Sequence, residues 1–171
     1  MDSMRIIHTI PPVYDQHSRV LVLGTMPSPK SREVGFYYGH PQNRFWRVME
    51  RLFELSDHAL VDNDARVAFL LGHHIALWDV LASCTISGAS DASIADPQPN
   101  DLTRILDAAP IRAVCCTGGK SAQLCRRFND RLLRERGIPL IALPSTSPAN
   151  ARMRLEELVN AYEPLVKELN R

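Results

Sequence analysis

The 171-residue sequence has no long apolar run, no CxxC pair and no marked excess of charge of either sign. Each absence removes a class of protein. A membrane-spanning helix needs roughly 20 apolar residues in a row, and runs such as Val20-Leu21-Val22-Leu23 fall far short. The opening MDSMRIIHTIPP lacks the apolar core of a signal peptide, so a soluble, cytoplasmic protein is expected. Cys84, Cys115, Cys116 and Cys125 do not fall at metal-ligand spacing, and adjacent Cys115 and Cys116 in a strand would point to opposite faces. Reduced structural thiols and no metal site are the expectation. A net charge of +1 announces no global nucleic-acid field. Locally, residues 100–136 carry eight Lys or Arg against four acids, which suits either a phosphate-facing patch or a solvated helix face.

What is present fits one ordinary domain over residues 1–171. Hydrophobic residues make up 45% and charged residues 23%, enough for a sizeable core. No repeat, linker or low-complexity tract divides it. The organising stretch is Val20 to Phe53. Its apolar start reads as a strand buried on both faces, ended by Gly24. A long loop with two Tyr and a Phe follows, up to Gln42. From Asn43 to about Leu55 the apolar residues Phe45, Val48, Met49, Leu52 and Phe53 recur at helical spacing. Such a strand, loop and helix place the loop at the carboxyl end of a sheet, where open α/β proteins bind ligands.

The rest alternates in the same way. Residues 1–18 read as an irregular lead-in, with Pro11-Pro12 blocking regular structure. Strands are expected near residues 19–23, 75–78, 111–116 and 138–143. Further helices are expected from an Asp62 or Asp64 cap to Leu71, from Asn100 or Asp101 to Ala109, over 120–128, and over 151–169 with a kink at Pro164. Residues 83–99 read as a surface loop. The order predicts a three-layer α/β/α sandwich with a mostly parallel four-stranded sheet.

Several polar residues stand where chemistry would sit. Asp79 follows a strand end, where it would assist a water, fix Asn43 or cap a turn. Asn43 offers two donors and an acceptor, and also suits the helix cap. Gly118-Gly119-Lys120-Ser121 invites a P-loop reading, but that motif needs Gly at position 114, which is Val. A helix N-terminus with Lys120 touching a phosphate is the better functional reading. Ser145, Thr146, Ser147 and Asn150 sit in a second polar loop, suited to phosphates or to capping.

Gly24-x-x-Pro27 followed by Tyr38-Gly39-His40-Pro41-Gln42-Asn43-Arg44-Phe45-Trp46 resembles the first motif of the uracil-DNA glycosylase superfamily. With Leu77-Trp78-Asp79-Val80-Leu81, Ser90-Asp91-Ala92-Ser93-Ile94, Pro99-Asn100-Asp101 and the segment from Pro144 to Asn150, the pattern is similar to its DNA-deoxyinosine (hypoxanthine-DNA) glycosylase branch. The resemblance spans residues 11 to 160. It implies a monofunctional glycosylase of base excision repair, which flips a deaminated base from DNA and hydrolyses its N-glycosidic bond. It implies no metal or organic cofactor and a monomer acting on double-stranded, or single-stranded, DNA.

The residues and the resemblance together give the site candidates. Asn43 and Asp79 are the catalytic candidates; Gly24, Thr25, Met26, Tyr38 and His40 are base-binding candidates; Ser145, Thr146, Ser147, Asn150 and Lys120 are DNA-binding candidates. Mismatch-specific relatives hold a polar Asn where this chain has Met26, which can neither activate water nor bond a base. The deoxyinosine branch instead puts weight on the Asn of its His-Pro-x-Asn segment, here Asn43. Tyr38 aligns with the aromatic that stacks on the flipped base, or packs in the loop, and His40 before Pro41 also suits a structural role. Relatives often wedge a bulky residue into DNA, whereas this second loop offers Pro148, Ala149 and Asn150. Uracil removal from mismatches and a non-catalytic DNA-binding module are the alternatives.

Overall fold

The computed structural model describes residues 3–87 and 90–171. Four parallel strands form its centre: β2 (Val20–Gly24), β3 (Ile75–Asp79), β6 (Ala113–Thr117) and β7 (Leu140–Leu143), in the order β3-β2-β6-β7. The first three are buried at every position, as expected of apolar strands covered on both faces. Helix α3 (Asn63–Gly72) packs on β3, and α5 (Gly119–Glu135) packs on β6 and β7. The chain steps from β2 to one side for β3, then back across to β6. With right-handed crossovers, that reversal puts α3 and α5 on opposite faces, which gives the three layers. It also opens a crevice at the carboxyl ends of β2 and β6, where the direction switches.

The α3 start follows its sequence signal, since the Asp62 carboxylate accepts the Ala65 N–H at 2.8 Å. Helix α2 (Phe45–Leu52) buries Phe45, Val48 and Met49. Inside the first long loop lies an unexpected short helix, α1 (Pro29–Val34), capped by Ser28 and closed by Gly35 at φ 74.

A second, three-stranded sheet was not legible in the sequence. In it β1 (Met4–Ile7) pairs antiparallel with β4 (Leu81–Ile86), and β4 pairs with β5 (Ala95–Pro99). The lead-in is thus not irregular throughout, and residues 83–99 are not simply a loop. Strand β5 reads ADPQP, which only an edge strand tolerates because proline donates nothing to a ladder. Between β4 and β5 lies a short 3₁₀ turn, Asp91–Ser93.

Helix lengths differ as well. Helix α4 covers only Thr103–Leu106, and Asp101 binds the Thr103 N–H and hydroxyl ahead of it. Helix α5 runs past residue 128: Asn129 and Leu133 continue its buried face, while on the solvent side Arg131 pairs with Glu135 at 2.9 Å and Arg134 with Asp130 at 3.1 Å. The last helix is two: α6 (Leu155–Ala161) and α7 (Glu163–Leu169). The break falls at buried Tyr162, whose hydroxyl donates to the Pro144 carbonyl at 2.6 Å, while Pro164 opens α7.

Candidate active site

Each parallel strand delivers a residue to one cavity at its carboxyl end. Gly24 closes β2, Asp79 closes β3, Thr117 closes β6, and Ser145 follows β7 shortly after Leu143. The cavity measures about 510 Å³. Thr25, Met26, Tyr38, Asn43, Thr146 and Ser147 also line it, as do Arg32 of α1 and Asp91 of the 3₁₀ turn. The structure therefore gathers most of the residues singled out in the sequence around one space. His40, Lys120 and Asn150 are not among its lining residues. The His40 ring nitrogen Nδ1 accepts the Gln42 N–H at 3.0 Å within its own turn.

Asn43 sits just ahead of α2, and its oxygen is fully committed. Oδ1 accepts the Phe45 N–H at 2.9 Å and the Thr146 hydroxyl at 2.9 Å. The first bond closes the start of the helix; the second ties it to the loop after β7. The amide nitrogen has no protein partner among the described residues, so the group Asn43 offers at the cavity wall is a donor.

Arg44, the next residue, builds the adjoining wall. Its N–H donates to the Thr146 carbonyl at 3.0 Å. Its guanidinium reaches the carbonyls of Ser147 at 3.3 Å, Asn150 at 2.9 Å and Met153. The loop adds bonds of its own: Ser145 Oγ accepts the Ser147 N–H, Ser147 Oγ accepts the Ala149 N–H, and Asn150 donates to the Ser145 carbonyl. Thr146 is 1% exposed, so its hydroxyl serves Asn43 rather than solvent. Nothing in the sequence spacing announced the role of Arg44.

Tyr38 stands at φ 52, with its ring stacked on Phe45 at 4.1 Å between centroids. Its hydroxyl shares a 2.8 Å hydrogen bond with Thr117. Burial, helped by the charge of Asp79, holds the phenol well above its ordinary pKa, so it stays protonated. Phe45 in turn meets Trp46 edge-on, and the Trp46 indole donates to the Tyr37 carbonyl at 3.1 Å. This aromatic block fixes the ring that borders the cavity.

Asp79 forms the floor and is 4% exposed. It lies in register beside Gly24 across the β2–β3 ladder. A methyl group on Gly24 would overlap Asp79 Oδ1 and come within 3.1 Å of the Tyr38 hydroxyl, so glycine is what lets the carboxylate lie over the end of β2. The partner of Asp79 is His8, whose Nε2 donates to Oδ2 at 2.8 Å. His8 lies outside the motifs and had no sequence signal. Asp91, at the rim, has its carboxyl raised by burial and by the Asp79 charge, with Lys120 close enough to oppose that rise. Among the described residues, no cluster of His, Cys, Asp or Glu is arranged to hold a metal, and no helix is long and apolar enough to cross a membrane.

The model of the uracil DNA glycosylase superfamily matches residues 11–167. The chain is 33% identical to the hypoxanthine DNA glycosylase of Methanosarcina acetivorans, covering 83% of this chain and 87% of that protein. It is also 33% identical to the hypoxanthine DNA glycosylase of Methanosarcina barkeri, with the same coverage. Its fold is similar to the solution NMR structure of a candidate uracil DNA glycosylase from Methanosarcina acetivorans, with a TM-score of 0.80 and 29% identity, covering 98% of this chain and all of that one.

Proposed function

The chain belongs to the uracil DNA glycosylase superfamily, and on that premise we propose that it is a monofunctional DNA glycosylase that excises hypoxanthine and leaves an abasic site. The observation that carries the base preference is the locked amide of Asn43. With Oδ1 held by Phe45 and Thr146, only the N–H donors face the cavity. Deamination turns the amino donor of adenine into a carbonyl acceptor. A fixed donor therefore accepts the deaminated base and leaves the parent base with two donors opposed. Names of the two Methanosarcina relatives support hypoxanthine within that class.

In this reading the flipped base lies along the Tyr38 ring, in the cavity at the switch point. The loop from Ser145 to Asn150, braced by Arg44, meets the DNA backbone through the hydroxyls of Ser145 and Ser147, while the buried Thr146 hydroxyl holds Asn43. Asn43 bonds the carbonyl of the base and holds it more tightly as negative charge builds on the leaving group, which is where a fixed donor accelerates reaction. In the same reading the protein acts as a cytoplasmic monomer on double-stranded, or single-stranded, DNA.

Base release from duplexes carrying one inosine or one uracil, by wild type and Asn43→Ala, tests this. Wild type should release hypoxanthine, and the variant should lose about a hundredfold or more in rate, as expected for removing one donor to a developing anion. Preferential uracil release would move the substrate to mismatched uracil, because that base also presents a carbonyl. Duplex binding with no release of either base would leave a DNA-binding module.

A further inference from the structure

The His8–Asp79 pair lies at the floor of the cavity, and His8 stands outside every motif that carries the family resemblance. Its side chains are 2% and 6% exposed. One carboxylate oxygen, Oδ2, is held by His8 at 2.8 Å. The other, Oδ1, has no protein partner among the described residues, is not sealed off, and is the oxygen that lies over Gly24. The pair is fixed from three sides. Asn100 Nδ2 donates to the carbonyls of Asp79 and Leu81, both at 3.0 Å, holding the strand end that carries the carboxylate. The His8 N–H donates to the Ala82 carbonyl at 2.8 Å, extending the pairing of β1 with β4. The Tyr37 hydroxyl binds the carbonyls of Ile10 at 3.1 Å and Pro11 at 2.9 Å, clamping the segment just beyond.

The geometry points to Asp79 as the group that receives the proton of the attacking water, with His8 as its positioning residue; this rests on the glycosylase reading above. A buried carboxylate with one oxygen locked by the His8 ring and the other open to the substrate space is oriented for one task at one place. The C1′–N bond breaks and its electron pair leaves with the base. The water oxygen forms the new bond to C1′ and gives its proton to Asp79 Oδ1. The departing base takes a proton from solvent and Asp79 returns its own, so one water is added across the bond. The same negative charge also favours the positive sugar that precedes attack. His8 touches no substrate. It fixes the rotamer of Asp79, holding Oδ2 so that Oδ1 stays over Gly24.

The test is single-turnover release from an inosine duplex, with duplex affinity and thermal midpoint measured on the same samples. Asp79→Asn should lose about a hundredfold or more in rate while keeping wild-type affinity. His8→Leu should lose roughly tenfold, and His8→Gln, whose amide still donates near the position of Nε2, should recover most of that. In the Asp79→Asn background, His8→Leu should add no further loss, because a positioning residue has nothing left to position. Wild-type rate in Asp79→Asn would overturn the proposal. So would equal losses in His8→Leu and His8→Gln, or losses that add in the double variant. Failure of the wild type to release any base would instead overturn the glycosylase reading, and this inference with it.

Discussion

At the scale of single residues, the site depends on groups whose freedom has been removed. Asn43 offers one kind of hydrogen bond because both lone-pair directions of its oxygen are filled. Asp79 offers one oxygen because the other belongs to His8. Gly24 matters for what it omits. Gly24→Ala should leave the fold intact but push the Asp79 carboxylate aside, and displacement of a reacting group by about 1 Å can cost on the order of a hundredfold in rate. Single-turnover base release checks this, and a rate within twofold of wild type would mean that the carboxylate position is immaterial. The placement of Asn43, Tyr38 and Asp79 around one cavity was legible in the sequence because each lies in a short motif beside a strand end or helix start. His8 was not. It follows β1 of a second sheet that no periodicity revealed, and RIIHTIPP alone gives no reason to bring that ring under the cavity.

At the scale of elements, the wall after β7 is held by Arg44 as well as by its own hydrogen bonds. A planar guanidinium can reach three carbonyls at once, and a lysine ammonium on a flexible stem does not reproduce that fork. Arg44→Lys should therefore behave nearly as Arg44→Ala. Each should lower stability by about 1.5–3 kcal/mol, the usual worth of hydrogen bonds to a charged group, in urea unfolding. Each should also raise hydrogen exchange across residues 144–153 well above wild type; unchanged protection there would remove Arg44 from this role. The strongly apolar elements were readable: the four parallel strands and the buried face of α2 follow directly from composition and period. Elements that break the rules for their type were not. Strand β5 holds two prolines, α1 is a single short helical segment inside a loop, and the tail of α5 sets its buried Leu133 among charged neighbours. The interruption near Pro164 was readable, but its place at Tyr162 is fixed by tertiary contact, the Pro144 carbonyl and burial of the ring.

At the scale of the molecule, near-neutral net charge means that DNA must be met locally. Arg32 lines the cavity, and Lys120 lies close to Asp91 at its rim. If each contacts a phosphate, Arg32→Ala and Lys120→Ala should each flatten the plot of log affinity against log salt by about one unit, without changing base preference. Binding isotherms across a salt series measure this, and an unchanged slope would place the contacts elsewhere. The four-stranded architecture and its switch point were legible as a whole, because alternation of strand and helix leaves few topologies open. The small antiparallel sheet was not, since its pairings join Met4 to Ile86 and Leu81 to Pro99 with no local signal between them. That sheet has a consequence for synthesis on the ribosome. β1 and His8 emerge first, yet the strand they pair with comes only after β2 and β3, and the wall from Ser145 to Asn150 comes near the end. A growing chain can therefore assemble most of the central sheet while its cavity still lacks one wall, so a chain halted before residue 145 is left without a competent pocket.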